Sequence, residues 1–400
     1  MRGTRVQVRF RVLGALIALL GVFVLAGCTG DGDGGGGGTS GSGDKTPDAP
    51  PKAKILAEPL LDAKEVPVTA PVKLTVVEGT LTEATLANSE GKPVAGAIAP
   101  DKLSWTNTEV LGFGKTYTYT AKATGTDNKT VELRGSFTTM NPAKQIRATL
   151  NPGDNATVGV GMPVSVKFDT PVASKAAKAA VERALLVQTS VPVEGSWGWL
   201  HDRQVDWRPK DYWPANTKVT VNAKLYGLDY GNGAYGRADV STKFTIGRNQ
   251  VVKLHTPSHQ MVVQRGGATV ATYPASFGKD HDPNLNTPNG TMIVMAKAPT
   301  ERFDNARYGY VNVWKKWAVR FSNHGEFIHE NEENRGNIGK VNTSHGCANL
   351  LEPDAKAYFD SAMVGDPVEV TGSQATMPRS SDVNDWLFPW PQWQSMSALR

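Results

Sequence analysis

His329 closes the segment Phe327-Ile328-His329, and fourteen residues lie between it and the run Ser344-His345-Gly346-Cys347-Ala348-Asn349. A thiolate is a strong nucleophile, and a histidine beside it can take its proton or hold it as an ion pair. Two histidines could serve Cys347. His345 lies two residues before it, so an extended segment would place both side chains on one face, while a tight turn would not. His329 falls on a strand pattern, with Phe327 and His329 on one face and Ile328 on the other. A base carried by a strand is held rigidly. Gly346 removes bulk beside the sulfur and lets the N–H groups of Gly346 and Cys347 converge on one point, as an oxyanion hole requires. The other reading of Cys347, taken alone, is a buried inert thiol.

Composition narrows the field. The 400 residues hold two cysteines, Cys28 and Cys347, too few for a disulfide scaffold or a four-cysteine zinc site. Four arginines (Arg2, Arg5, Arg9, Arg11) and no acid lie in the first 28 residues, so removing that segment lowers the formal charge from +5 to +1. A nearly neutral chain argues against a nucleic-acid partner. Hydrophobic residues at 40% and aromatics at 8% fit globular domains rather than a disordered chain. The length favours two or three domains, at ~150 residues each.

The elements that must carry the site follow a leader. Residues 1–28 pair a basic stretch with an apolar run over 12–26, the layout of a secretory signal too short for a spanning helix. Leu25-Ala26-Gly27-Cys28 resembles a bacterial lipobox, in which the cysteine is lipidated. Residues 29–52, with the run Gly34–Gly38, read as a flexible tether. This predicts an exported protein, lipid-anchored on the outer face of the cytoplasmic membrane.

Residues 53–248 alternate as short strands between turns, with one helix pattern over Ser174–Leu186. An internal repeat runs through them. Trp105 and Trp207 are 102 positions apart, and Tyr117/Tyr119 and Val219/Val221 keep that offset. The predicted fold class is mainly β: two tandem immunoglobulin-like sandwiches (53–142 and 143–248), then a β-rich domain with one or two short helices. The sandwiches read as spacers. The second copy gains five residues around Asp229-Tyr230-Gly231-Asn232-Gly233, a loop that could hold a hard cation or simply turn.

Residues 249–373 form the reactive domain. A hairpin is expected over Gln260–Gln264 and Ala268–Thr272, a strand over Thr291–Met295, a helix within Asn349–Met363, and a last strand at Val368–Val370. Residues 374–400 carry Trp386, Trp390 and Trp393 and are expected to pack back on the catalytic domain, since a free tail would expose too much aromatic surface. Trp314 and Trp317 read as core, Lys315-Lys316 as a solvated pair, and His201, His255, His259 and His281 as structural or surface residues.

The spaced His329 and Ser344-His345-Gly346-Cys347 resemble the signature of bacterial L,D-transpeptidases with the YkuD-type catalytic fold. Asn349 and the turn Thr287-Pro288-Asn289-Gly290 fit the same pattern. The order of lipobox, tether, two immunoglobulin-like units, catalytic domain and Trp-rich tail is similar to the mycobacterial and actinobacterial members, so the likeness spans nearly the whole chain. It implies that Cys347 is the nucleophile and His329 the general acid/base, oriented by a backbone carbonyl from Glu330 or a neighbour. It implies that Ser344 and His345 shape the site, with Gly346 and Cys347 as backbone donors. It implies stem-peptide contacts at Tyr310, His324, Gly325 and Asn349, although His324 and Glu326 stand where many relatives carry small or hydroxyl residues. Ala298–Tyr310, with Phe303 and Tyr308, resembles a lid. Asp229, Asn232 and Gly233 match a structural calcium site of some relatives, with Asn232 where an acid is expected. No cofactor is implied for catalysis. The implied activity is 3→3 cross-linking of peptidoglycan stem peptides with release of D-alanine and acylation by carbapenem β-lactams. The competing readings are hydrolysis of the same acyl-enzyme, an L,D-carboxypeptidase, and a non-catalytic cell-wall-binding lipoprotein.

Overall fold

A computed structural model describes residues 51–305, 309–380 and 383–400. Cys28, the leader, nearly all of the tether and Tyr308 lie outside the described residues, as does the side chain of Tyr310. Among the described residues no helix is long and apolar enough to cross a membrane.

Two sandwiches repeat one strand order. In the first, one sheet runs Lys54–Glu58, Lys73–Val77, Ser104–Asn107, Gly96–Ile98, facing a second of Gly79–Asn88, Thr116–Gly125 and Thr130–Thr138. In the second, the matching sheets are Ala148–Asn151, Val164–Phe168, Gln204–Pro209, Gly195–His201, and Leu185–Thr189, Lys218–Ala223, Val240–Ile246. Thr157–Val158 adds a parallel edge to the latter. The alternation of Thr116–Gly125 explains why it is a strand: Tyr117, Tyr119, Ala121 and Ala123 face the core and their neighbours face outward. Trp105 and Trp207 occupy equivalent positions, each buried over a glycine one strand away. A Cβ on Gly96 would lie 2.0 Å from the Trp105 ring, and one on Gly195 would lie 1.9 Å from the Trp207 ring. The register is the same in both copies, Gly96 opposite Asn107 and Gly195 opposite Pro209.

The helix is α1, Lys175–Ala184, capped by Ser174, whose side chain accepts from the Ala177 N–H. The five-residue insertion falls within a hairpin of Asp229–Gly231 and Ala234–Gly236, turning at Asn232 and Gly233 with φ of 54° and 72°. This is the two-residue turn that Asn-Gly favours. Asp229 accepts from the Gly231 N–H at 2.7 Å, and the Gly233 carbonyl accepts from Lys144 N–H at 3.3 Å. Within the hairpin Asp229 is the one carboxylate. Among the described residues no three His, Cys, Asp or Glu cluster to hold a metal.

The third domain has two sheets. We number its strands β1 (Gln250–His255), β2 (Gln260–Arg265), β3 (Ala268–Pro274), β4 (Gly290–Ile293), β5 (Ala296–Asn305), β6 (Tyr310–Arg320), β7 (Phe327–Glu330), β8 (Ala348–Leu350) and β9 (Pro367–Thr371). One sheet runs β3-β2-β1-β9-β4 and the other β5-β6-β7-β8. The β1–β9 and β7–β8 pairings are parallel and the rest antiparallel. Between them lies a core including Leu254, Met261, Phe277, Phe321, Ile328, Leu350 and Val368. Helix α2, Glu352–Ser361, starts with Pro353 and two acids in its first turn and buries Ala355, Tyr358 and Phe359 against that core.

The tail packs back, but chiefly onto the second sandwich rather than the catalytic domain alone. Helix α3, Trp390–Ser395, lays the fully buried Trp393 against Gly198, and its indole N–H donates to the Ser196 carbonyl at 2.9 Å. Trp386 donates to the Gly161 carbonyl at 2.7 Å. The Arg208 guanidinium lies over the rings of Trp386, Trp390 and Trp393 at 4.6–5.3 Å. Met377 and Leu387 pack on the catalytic core. The reason is complementarity: the sandwich offers a buried cation and bare glycine backbone, which suit large flat rings with one N–H. The two domains also join directly. Gly159 and Gly161 donate to the carbonyls of Val364 and Gly365, both at 2.8 Å. A Cβ on Gly159 would lie 2.2 Å from the Asp366 nitrogen.

Candidate active site

β7 places His329 between β6 on one side and β8 on the other. Because β8 runs parallel, His329 stands opposite Asn349. Cys347 is the residue just before β8, so the nucleophile candidate sits where a turn feeds a buried strand. Hydrogen bonds fasten that turn from both sides. Ser344 N–H donates to Phe277 at 2.9 Å, and its carbonyl accepts from Lys279 at 3.1 Å. The Thr287 hydroxyl, 1% exposed, accepts from Gly278 N–H and donates to the Gly346 carbonyl, both at 2.9 Å. Ser344 Oγ donates to the Cys347 carbonyl at 2.6 Å and accepts from Gly346 N–H at 3.1 Å.

That last bond corrects the expectation that Gly346 and Cys347 both supply oxyanion donors. The Gly346 N–H is spent on Ser344. Gly346 instead serves the turn by its φ of +119°, which a side chain would strain.

His329 is 5% exposed, and its Nδ1 lies 2.6 Å from the Glu330 carbonyl oxygen. A carbonyl only accepts, so Nδ1 carries the proton and Nε2 is left as the base. The Glu330 carboxylate is occupied elsewhere, by the N–H groups of Glu332 and Lys316. Phe303 packs its ring 5.1 Å from the imidazole and 4.7 Å from Phe327. Cys347 is half-buried, with Sγ 3.8 Å from the Gly325 carbonyl.

His329 and Cys347 open onto one cavity of ≈ 430 Å³. Ser344, His345 and Asn349 line it with them, so five of the sequence-derived residues meet there. Asn349 is 3% exposed and its Oδ1 has no hydrogen-bond partner among the described residues, leaving a buried acceptor at the wall. Gly325 adjoins through its carbonyl. His324, exposed on the same turn, is not among the residues that wall the cavity.

Burial sets the protonation states. It pushes His329 down to about 4, opposed by the bond to Glu330 and reinforced by the Lys315 charge. It pushes the Cys347 thiol up to about 12, opposed by the Phe327 N–H and reinforced by the Glu326 carboxylate. The partial exposure of Cys347 tempers that rise. Both shifts favour a thiol and a neutral imidazole over an ion pair.

Residues 249–370 match the L,D-transpeptidase catalytic domain, and residues 63–229 match a bacterial Ig domain. L,D-transpeptidase 5 of Mycobacterium tuberculosis is 43% identical over 355 residues, 88% of this chain and 78% of that protein. The chain belongs to the L,D-transpeptidase family. L,D-transpeptidase 2 of Mycobacterium tuberculosis is 36% identical over 353 residues, 86% of this chain and 85% of the relative. A solved L,D-transpeptidase in complex with imipenem is 30% identical, covers 57% of this chain and 100% of its own, and has a TM-score of 0.48. Membership makes the protein a transpeptidase, an acyl-transferring enzyme.

The described part of Ala298–Tyr310, the segment that resembles a lid, runs along the β5–β6 hairpin. Sequence reasoning missed several cavity residues that this hairpin and the turn after β7 bring in: Val313, Lys315, Asn331, Glu333 and Asn334. Lys315 was expected in solvent, yet its side chain is 12% exposed. Trp314 was expected in the core, yet it is 59% exposed. Alternation along β6 was the available signal, because Val313 and Lys315 share a face that Trp314 does not.

Proposed function

We propose that the protein is a peptidoglycan L,D-transpeptidase that forms 3→3 cross-links through a thioester on Cys347. The observation that carries this reading is the placing of Cys347 and His329 on one cavity, with Nε2 left as base by the Glu330 carbonyl. Cys347 attacks the carbonyl after the L-centre of diaminopimelate in a tetrapeptide stem. His329 takes the thiol proton as the bond forms, which suits a neutral pair, and delivers it to the leaving D-alanine. The side-chain amine of a neighbouring diaminopimelate then attacks the thioester. Its proton passes to His329 and on to the departing sulfur. With Gly346 N–H spent, the Cys347 N–H is the turn's donor to the oxyanion, a contribution of roughly 3 kcal/mol. Asn349 Oδ1 accepts from a stem amide, Gly325 and His324 border the stem, and Ser344 and His345 shape the wall.

The same thiol takes a carbapenem ring as an acyl donor. Cys28 carries the lipid that holds the enzyme at the outer face of the membrane, supported by Leu25-Ala26-Gly27-Cys28. Purified protein incubated with tetrapeptide stems should yield cross-linked dimers by mass. Tripeptides alone would make it a carboxypeptidase, and no product together with no carbapenem adduct on Cys347 would make it a wall-binding protein. Cys347→Ala should abolish both product and adduct.

A further inference from the structure

Lys315 is a cation inside the cavity that the steps above do not use. It lies on β6 two residues after Val313, the cross-strand partner of Phe303, so its side chain turns toward the same wall. Nζ donates to Asn331 Oδ1 at 2.9 Å and to Glu333 Oε2 at 3.2 Å. The two partners differ in kind. Asn331 is fixed at the end of β7, its N–H bonded to the Leu350 carbonyl at 2.9 Å. Glu333 is a side chain 88% exposed, and an ion pair so open is weak. The neighbouring acids are committed elsewhere: Glu330 to backbone N–H groups, and Glu332 to Glu352 N–H and Arg335. Asn331 thus holds the ammonium in place, and Glu333 is a counter-ion that another carboxylate can replace.

We propose that Lys315 binds the carboxylate on the D-centre of the acceptor diaminopimelate, displacing Glu333, and so determines which acceptor amine attacks. The inference rests on the transpeptidase reading above. The attacking nitrogen must come within hydrogen-bond reach of His329 Nε2, ~3 Å. The carbon bearing that nitrogen also bears the carboxyl group, so the carboxylate must lie close to His329 on the cavity wall. Lys315 is the cation there, near enough for its charge to act on His329. The new amide bond forms between nitrogen and the thioester carbon, the carbon–sulfur bond breaks, and the proton returns to Sγ through His329. The carboxylate takes no part, so Lys315 is a specificity residue rather than a catalytic one. An acceptor carrying a carboxamide at that centre forms no ion pair with it.

The test offers the acyl-enzyme two acceptor tripeptides in competition, identical except for carboxylate or carboxamide at the D-centre, and weighs the dimers. Both products arise from one acyl-enzyme, so their ratio is blind to changes in acylation. The wild type should favour the carboxylate by about tenfold, the scale of one charge-assisted hydrogen bond. Lys315→Met should bring the ratio near one, Lys315→Arg should keep it, and Glu333→Gln should lower the KM for the carboxylate acceptor. A wild type that is indifferent or prefers the carboxamide overturns the inference, as does a Lys315→Met variant with the wild-type ratio. If Cys347 is never acylated by the donor, the transpeptidase reading fails first and the inference falls with it.

Discussion

The resting state of the Cys347–His329 pair can be read from how fast the thiol is alkylated. Burial raises Cys347 from its ordinary 9.0 to about 12 and lowers His329 to about 4. At pH 7 an ordinary thiol is about 1% thiolate; at a pKa of about 12 the fraction is about a thousandfold smaller. The partial exposure of Cys347 restores part of this. Alkylation of Cys347 by iodoacetamide at pH 7 should therefore be between ~10 and ~1000 times slower than that of an unperturbed cysteine. Its rate should climb about tenfold per pH unit from 6 to 9, because below its pKa the thiolate fraction rises by that factor. Acyl donors differ, since His329 takes the proton while the carbon–sulfur bond forms, so acylation by a carbapenem should vary far less over that range. The assay is the mass of the peptide that carries Cys347 at timed quench points, which sets Cys28 aside. A rate that is already high and flat below pH 7 would refute the argument, because it would show a thiolate–imidazolium pair formed before any substrate arrives.

Two further outcomes test the scaffold. Thr287→Val keeps the shape but removes the hydroxyl that joins Gly278 N–H to the Gly346 carbonyl. Leaving two buried groups unpaired should cost about 2–3 kcal/mol in chemical denaturation and slow carbapenem acylation; an unchanged midpoint would mean the turn does not depend on it. Trp393→Ala empties the fully buried indole site between α3 and the second sandwich. It should cost about 3–5 kcal/mol and lower the unfolding transitions of sandwich and catalytic domain together; a loss confined to one would argue that they are not one folding unit.

The candidate site was legible because its residues are nearly contiguous: four neighbours and one spaced histidine, which the fold brings to one cavity. The sandwich repeat was legible through Trp105 and Trp207, whose bulk forces them into equivalent core positions. What makes room for each ring was not, because Gly96 and Gly195 lie one strand away and a glycine means nothing until its cross-strand neighbour is known. Lys315 shows the same limit. Two adjacent lysines look solvated in a row of letters, but on a strand adjacent side chains part to opposite faces, and one of these faces is the cavity wall. Gly346 was assigned to the site, but for a donor its own turn uses up; only placed atoms could show that Ser344 Oγ reaches it first. The tail was expected to bury its tryptophans, but hydrophobicity alone does not say against which domain.

The rings of Trp386 and Trp393 find their hydrogen-bond partners 225 and 197 positions earlier in the chain. Bringing such distant segments together carries a closure entropy that grows with the logarithm of the separation, and contacts this remote slow the search for the native state. The second sandwich can therefore pair its strands early, yet its surface around Arg208 and Gly198 stays open until residues 386–398 have been threaded past the whole catalytic domain. During that interval the bare backbone and the apolar floor under α3 are open to wrong partners, so the step that completes the sandwich is also the one at which a folding chain is most exposed to aggregation.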